Sequence, residues 1–374
     1  MKRLDEMRGL ACLGVVTFHA VSSEPSLRAS SIAAGIQLLS YVRMPLFIAI
    51  TGIIYGRKRQ TQSLGWNGWV KRTARLLPPF LLLTLVCCGI DLAGGHGFPL
   101  ASAILFGTWH LWYLQALAVV LLIVYAIERA WHPGSRGLWG AAIVAGGISA
   151  SGLLAPVHLL SFDRGVDLLP HFLFGVVIGQ AGSASLAPPV RRAIYVAGSA
   201  GLLAAAVGIA SGTPWSSASL IGIAIGWAAI LGLYRHMPAA PSFARLGCFS
   251  LPVFLWHLPV AAVLSGVLLN PLAIEPYTAV MLRIAFGIAL PMVGVLVAER
   301  LAPRIIPIVG RRSRPDASPP RRWLYPQHEQ ASAEPALADQ NSSSGGPSGS
   351  RRSSGGGPRS RSRRGPTAID PSSF

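Results

Sequence analysis

Two ionisable residues in the first apolar stretch of the chain, Arg8 and His19, are the leading candidates for chemistry. They are 11 residues apart, which is a rise of about 16 Å along an α-helix. At 100° per residue, this spacing brings both side chains to within about 20° of one face.

An arginine at the membrane boundary can anchor a charged donor. An imidazole, with an ordinary pKa of about 6.5, can accept a hydroxyl proton at neutral pH. A histidine hydrogen-bonded between helices is the structural alternative.

A second group of cations, Lys71, Arg72 and Arg75, comes directly before a long apolar run. Arg72 and Arg75 are three residues apart, so a helix places them on one face. A guanidinium group can bind phosphate oxygens through two parallel hydrogen bonds. The pair therefore suits a phosphorylated donor molecule. Ordinary anchoring of a membrane protein at its cytoplasmic side explains the same charges without a ligand.

Four further side chains are candidates for the acceptor side of such a reaction, because polar groups within membrane segments are costly and usually functional. They are Arg43, His110, Tyr113 and His257. Arg43 could meet an anionic substrate, pair with an acidic loop residue such as Asp91, or extend to the membrane surface.

The remaining three candidates each have a structural alternative. His110 and Tyr113 belong to a tryptophan-rich segment, whose rings could stack on sugars or form an interfacial aromatic belt. His257 could line the same cavity as His19 or serve helix packing.

Composition indicates which solvent surrounds these residues. Hydrophobic residues make up 52% of the 374-residue chain and charged residues only 12%, against about 25% charged in a typical soluble domain. Backbone groups in lipid must bond within a helix, so long apolar runs predict membrane-spanning helices. The sequence therefore predicts an all-α integral membrane protein.

Ten apolar runs are interpreted as spans. They are centred on Leu10–Val21, Leu38–Tyr55, Leu76–Leu92, Leu111–Ile127, Leu138–Leu154, Leu168–Ala181, Ala193–Ala210, Ala218–Tyr234, Phe249–Leu269 and Ala279–Ala298. Lys and Arg concentrate in every second loop, which predicts that the N- and C-termini are both cytoplasmic. Residues 1–302 form the predicted transmembrane domain. Residues 303–374, rich in Pro, Ser, Gly and Arg, are expected to be a disordered cytoplasmic tail.

The net charge of +18 is explained by membrane topology and anionic lipid, so no nucleic acid partner is expected. The four cysteines, Cys12, Cys87, Cys88 and Cys248, lie within apolar runs and none forms a metal-type pair with His spacing, so no metal site is expected.

Five segments in chain order resemble the membrane-bound acyltransferase 3 family. They are RLDEMRGLACLGVVTFHA, YVRMPLFIAITG, KRTARLLPPFLL, WHLWYLQAL and SLPVFLWHLPV. The resemblance implies O-acylation of an extracytoplasmic or lipid-linked carbohydrate, commonly by acetyl transfer from acetyl-CoA. It also implies that His19 is the catalytic residue and that Arg8, Arg72 and Arg75 bind the donor. Acyl-CoA is then a substrate, and no bound cofactor is expected.

One departure from the family pattern concerns the fourth span, where many members carry glutamates. This chain has Gln115, Ala116, Leu117 and Ala118 there. The difference leaves His19 without its most obvious carboxylate partner.

These observations predict a multi-pass protein of the bacterial inner membrane whose partners are acyl-CoA, a glycan acceptor and membrane lipid. Direct attack by the acceptor and a transient acyl carrier on the protein both fit the sequence. The main alternative function is a transporter or flippase for an anionic or lipid-linked glycan, which would use the same basic cavity without an acyl donor. A structural subunit is a third possibility.

Overall fold

The computed structural model describes residues 2–27, 30–59, 65–98, 100–131, 133–181 and 186–301, and every regular element in these ranges is helical. In chain order the α-helices are α1 (Lys2–Ser22), α2 (Ser31–Leu38), α3 (Arg43–Arg59), α4 (Trp66–Ala74), α5 (Leu77–Ala93), α6 (Leu100–Phe106), α7 (Trp112–Trp131), α8 (Ser135–Ser151), α9 (Phe162–Ala181), α10 (Pro188–Ala210), α11 (Leu220–His236), α12 (Pro241–Cys248), α13 (Ser250–Leu264) and α14 (Pro276–Leu301). A π-helical turn, Ser265–Leu269, extends α13.

Each of the ten predicted spans coincides with one of the long helices α1, α3, α5, α7, α8, α9, α10, α11, α13 and α14. In the described residues, six helical segments are long and apolar enough to cross a membrane. A seventh is added if α11 and α12, bent by 118°, count as one span. Helix α1 falls outside this group because its first two turns are charged, and α8 because it has only 17 residues. The count of ten spans and the cytoplasmic termini remain predictions, and the predicted tail lies outside the described residues.

Helix α9 is the centre of the assembly, because a larger share of its side chains is buried than in any other long helix of the described residues. It packs against α3, α7, α8 and α11, and Phe172 and Phe174 are fully enclosed. Its first turns nevertheless carry Asp163, Arg164 and Asp167. A helix shielded from lipid by other helices can hold polar groups at lower cost than a lipid-facing one.

Four glycines allow α3 and α9 to approach with their backbones in direct contact. A Cβ atom on Gly52 or Gly56 of α3 would overlap a carbonyl oxygen of α9, at Phe172 or Val176. In the reverse direction, a Cβ atom on Gly175 or Gly179 of α9 would overlap the Ala49 or Ile53 carbonyl oxygen of α3. Both helices thus carry a small-xxx-small pattern, which permits close packing of membrane helices.

Contacts among the basic ends of several helices place those ends on one side of the molecule. Arg3 at the start of α1 donates to the Tyr234 carbonyl oxygen at 3.1 Å, and Arg57 at the end of α3 donates to the Tyr234 hydroxyl at 3.0 Å. Arg59 forms an ion pair with Glu128 near the end of α7. We call this side, defined by Arg3, Arg57 and Arg59, the basic face.

The substitution Gly52→Ala is expected to destabilise the protein, because its methyl group would meet the Phe172 carbonyl oxygen. Overpacking of this kind costs typically about 1–3 kcal/mol. The measurement is the thermal midpoint of the detergent-solubilised protein. Gly89→Ala in α5 is the matched control, since a Cβ there meets nothing within 4 Å, and it should leave the midpoint unchanged or raise it. Equal midpoints for the two variants would contradict the close α3–α9 contact.

Candidate active site

Three histidines from separate parts of the chain meet inside the helix assembly. His19 lies on α1 and His257 on α13, with ring centroids 5.3 Å apart. The His110 ring, in the turn before α7, lies 4.9 Å from that of His257. His110 and His257 are each only 2% exposed, whereas His19 is half-buried. We call these three residues the histidine cluster; His19 is its most accessible member.

Backbone hydrogen bonds define the donor nitrogen of two of these rings. His257 Nδ1 lies 2.8 Å from the Phe254 carbonyl oxygen, and His110 Nε2 lies 3.0 Å from that of Leu255. A carbonyl oxygen can only accept, so each of these nitrogens carries the proton. The opposite nitrogens, His257 Nε2 and His110 Nδ1, are buried and have no partner among the described residues. In a neutral imidazole each presents a lone pair that can accept a hydrogen bond.

The guanidinium group of Arg43 lies over the Phe18 ring, its central carbon 3.5 Å from the ring centroid. Phe18 precedes His19, so the cation approaches the histidine cluster from α3. Its Nε atom is buried without a hydrogen-bond partner in the described part of the chain. The suggested pairing with Asp91 is not among the ion pairs of the described residues, and the guanidinium group instead lies over the aromatic ring.

Tyr113 does not touch the histidines directly but packs on Phe254, which borders them. The ring centroids of Tyr113 and Phe254 are 5.3 Å apart, and those of His110 and Phe254 are 5.2 Å apart. Phe47 completes this aromatic wall. Before His110, the backbone of Trp109 has a φ of 48°, a left-handed conformation that costs roughly 1–2 kcal/mol for a residue with a Cβ atom. Such strain often accompanies functional sites, and here it belongs to the turn that buries His110.

Gln115 of α7 has a structural role in this chain. Its side-chain amide donates to the Ile104 carbonyl oxygen at 2.6 Å, and its amide oxygen accepts from the Ser161 hydroxyl at 2.7 Å. A carboxylate has no hydrogen to donate to the Ile104 carbonyl. The ring of His257, instead of a carboxylate, stands beside His19.

The three arginines predicted to bind a donor occupy different surroundings. Arg8, half-buried on α1, forms an ion pair with Asp5 at 2.9 Å. Arg72, near the end of α4, turns over the Tyr55 ring at 5.3 Å from its centroid. Arg75 caps the end of α4 and is exposed. Arg72 joins the basic face through Tyr55, which lies two residues before Arg57 on α3. The interactions of the described residues do not connect the three arginines with one another.

Comparison with known proteins identifies the family. The model of the acyltransferase 3 family, described as an acyltransferase domain, matches residues 1–300. The chain belongs to the acyltransferase 3 family. No curated protein and no solved structure matches it. With its long apolar helices, this member of the acyltransferase 3 family is a multi-pass membrane protein.

Sequence reasoning overlooked one charged pair in this acyltransferase. Arg283, in the apolar segment MLRIAFGIAL on α14, is 5% exposed and forms an ion pair with Glu24 at 2.9 Å. The criterion that selected His19 and Arg43, a charge within an apolar run, applies equally to Arg283. Unlike His19 and Arg43, Arg283 lies in none of the five segments that resemble the acyltransferase 3 family.

A cavity of about 210 Å³ lies elsewhere in the acyltransferase, where α8 ends and α9 begins. Ser149, Asp163, Asp167 and Ser219 are among its lining residues. None of the site residues predicted from the sequence lines it. The Ser149 hydroxyl lies 3.0 Å from Asp167 Oδ1 and 3.2 Å from the Ala218 carbonyl oxygen, and it can donate its one hydrogen to either acceptor.

Proposed function

We propose that this protein is an O-acyltransferase that moves an acyl group, in the simplest case acetyl, from acyl-CoA to a hydroxyl group of a cell-envelope carbohydrate or lipid-linked glycan. We propose the bacterial inner membrane as its location. The observation that carries the proposal is the histidine cluster. It places the ring of His19 5.3 Å from that of His257. The Nε2 atom of His257 is buried and has no hydrogen-bond partner among the described residues, so its lone pair can accept a hydrogen bond from a ligand.

In the proposed reaction His19 acts as the general base. The acceptor oxygen attacks the thioester carbonyl carbon as its proton passes to the imidazole, so a C–O bond forms. The C–S bond then breaks, and the departing thiolate takes the proton from His19 to give free CoA. The lone pair of His257 Nε2 is available to accept a hydrogen bond from a second hydroxyl group of the acceptor, since this nitrogen has no other partner among the described residues.

The donor is proposed to approach from the basic face. Arg8 lies on the same helix as His19, about 16 Å away along its axis, so a ligand bound near Arg8 can extend toward the imidazole. Arg72 and Arg75 add two guanidinium groups that can bind CoA phosphates. This arrangement separates phosphate binding, at one side of the helix assembly, from proton transfer in its interior.

The acceptor is proposed to meet Arg43, His110, Tyr113 and His257. Arg43 has no acidic partner among the described residues and keeps its Nε atom without a hydrogen bond. A cation in this environment is costly unless an anion accompanies it. We therefore propose that the acceptor carries a carboxylate or phosphate group, which Arg43 binds while Tyr113 and Phe254 provide an aromatic wall for the sugar.

Replacing the proposed base should abolish transfer. His19→Ala is expected to lower the rate of acyl transfer by about 10²–10⁴-fold, the usual contribution of general acid–base catalysis. The assay uses the purified protein reconstituted in membranes, with radiolabelled acetyl-CoA and envelope glycans as substrates. It measures the release of the CoA thiol and the formation of ester on the glycans. His96→Ala is the control, because His96 is exposed. Normal transfer by His19→Ala at normal expression would remove the proposed role. Glycan movement without thiol release in the native protein would favour a transporter.

Replacing a proposed donor ligand should weaken donor binding rather than chemistry. Arg72→Ala is expected to raise the KM for acetyl-CoA about tenfold or more, because a charge-assisted hydrogen bond contributes about 1.5–3 kcal/mol. Arg136→Ala is the matched control, since Arg136 is exposed at the start of α8. An unchanged KM for Arg72→Ala would remove this residue from the donor site.

Replacing Arg43 should weaken the binding of anionic acceptors but not that of neutral ones. Arg43→Gln is expected to raise the KM for a glycan that carries carboxylates by about tenfold or more. The KM for acetyl-CoA and for a neutral glycan should stay the same. The measurement compares uronic-acid oligosaccharides with their carboxyl-reduced forms as acceptors. Equal effects on both acceptors would contradict an anion-binding role for Arg43.

A further inference from the structure

Arg283 forms hydrogen bonds to two different segments of the chain. Its Nη1 atom donates to Glu24 Oε2 at 2.9 Å, and its Nε atom donates to the Ser265 hydroxyl oxygen at 3.0 Å. The Arg283 side chain is only 5% exposed and that of Glu24 15% exposed. A guanidinium group is planar and rigid, so bonds from two of its nitrogens restrict both partners in direction as well as distance.

The two partners lie at the ends of the helices that carry the interacting histidines. Glu24 lies two residues after Ser22, the last residue of α1, and is five positions beyond His19. Ser265 follows the last residue of α13, Leu264, and is eight positions beyond His257. One side chain of α14 therefore connects the end of the His19 helix with the end of the His257 helix.

The charges around this connection keep it intact at neutral pH. Burial raises the pKa of Glu24, but hydrogen bonds from Arg283 and Ser26 and the charge of Arg283 lower it, and the net shift is downward. Glu24 is therefore ionised at neutral pH, and its contribution to stability is lost only as the pH falls through this lowered pKa. Ser26 donates to the other carboxylate oxygen at 2.9 Å, so both oxygens of Glu24 are bonded.

We infer that Arg283 is a positioning residue for acyl transfer: by binding Glu24 and Ser265 together, it sets the separation of the His19 and His257 rings. This inference rests on the proposed function for its catalytic consequence, but the geometric part is independent of it. No hydrogen bond joins Arg283 to either histidine in the described part of the chain, so its proposed effect passes through Glu24 and Ser265. Its loss should reduce turnover while the donor site on the basic face stays intact.

The kinetic test uses the full-length protein in membranes. Arg283→Gln is expected to lower kcat by about 10²-fold, as a displacement of about 1 Å at a reacting centre can do, with an unchanged KM for acetyl-CoA. The charge-reversal pair Glu24→Arg with Arg283→Glu should recover a substantial part of kcat over either single change. Arg164→Gln is the matched control, because Arg164 also faces a carboxylate but is 58% exposed and lies on α9. It should leave both constants unchanged.

A spectroscopic test separates this inference from the proposed function. In protein labelled with ¹⁵N-histidine, solid-state NMR should detect the coupling between the His19 and His257 rings, whose centroids are 5.3 Å apart. The coupling should weaken in Arg283→Gln and persist in Arg164→Gln. Absence of acyl transfer by the native protein would refute the proposed function and leave this measurement meaningful. An unchanged ring coupling, or an unchanged kcat in folded Arg283→Gln, would overturn the positioning role.

Discussion

The backbone contact between α3 and α9 is the constraint on which the arrangement of the other helices depends. Because four glycines remove the side chains from this contact, the two helices act as one unit with α9 at its centre. Helix α3 holds Arg43 at one end and Arg57 and Arg59 at the other. The length of α3 thus fixes the distance between the basic face and Arg43. Helix α1 packs on α3, so its position depends on the α3–α9 contact as well.

Arg43 and Arg283 are compensated in different ways, and the difference explains their different proposed roles. Arg283 has a carboxylate and a hydroxyl as partners. Arg43 has an aromatic face, which offers a weaker electrostatic attraction than a carboxylate does in a low-dielectric interior. A cation that already has a carboxylate is suited to holding helices together, whereas one that has only a ring retains the capacity to bind an incoming anion.

The positions of the helices could be predicted from the sequence more completely than the site. Apolar runs mark helices wherever lipid or other helices surround them, so each predicted span coincided with a long helix. Hydropathy underestimates the length of α9. The predicted span begins at Leu168, but the helix begins at Phe162, because a helix covered by protein tolerates Asp163 and Asp167 in its first turns. Family motifs pointed to His19 and the arginines, and those assignments remain untested by the geometry.

The convergence of residues from distant parts of the chain could not be predicted, because it depends on how the helices pack. No spacing in the sequence indicates that His110 would reach α13, since this requires the unusual backbone of Trp109. The partner of Arg43 was also beyond sequence reasoning: acidic loops suggested a carboxylate, but the neighbouring helix supplied the Phe18 ring. Arg283 was accessible from the sequence by the rule used for other intramembrane charges.

The two hydrogen-bonded imidazoles of the histidine cluster differ in what maintains their tautomers. His257 bonds to carbonyl oxygens of its own helix, at Val253 and Phe254, so α13 could slide or tilt as a body without changing which nitrogen of that ring carries hydrogen. His110 bonds across to Leu255 of α13, so its tautomer is tied to the docking of that helix against the turn before α7. A rigid-body movement of α13 would therefore leave the tautomer of His257 unchanged, whereas the ring of His110 would become free to exchange its proton between its two nitrogens.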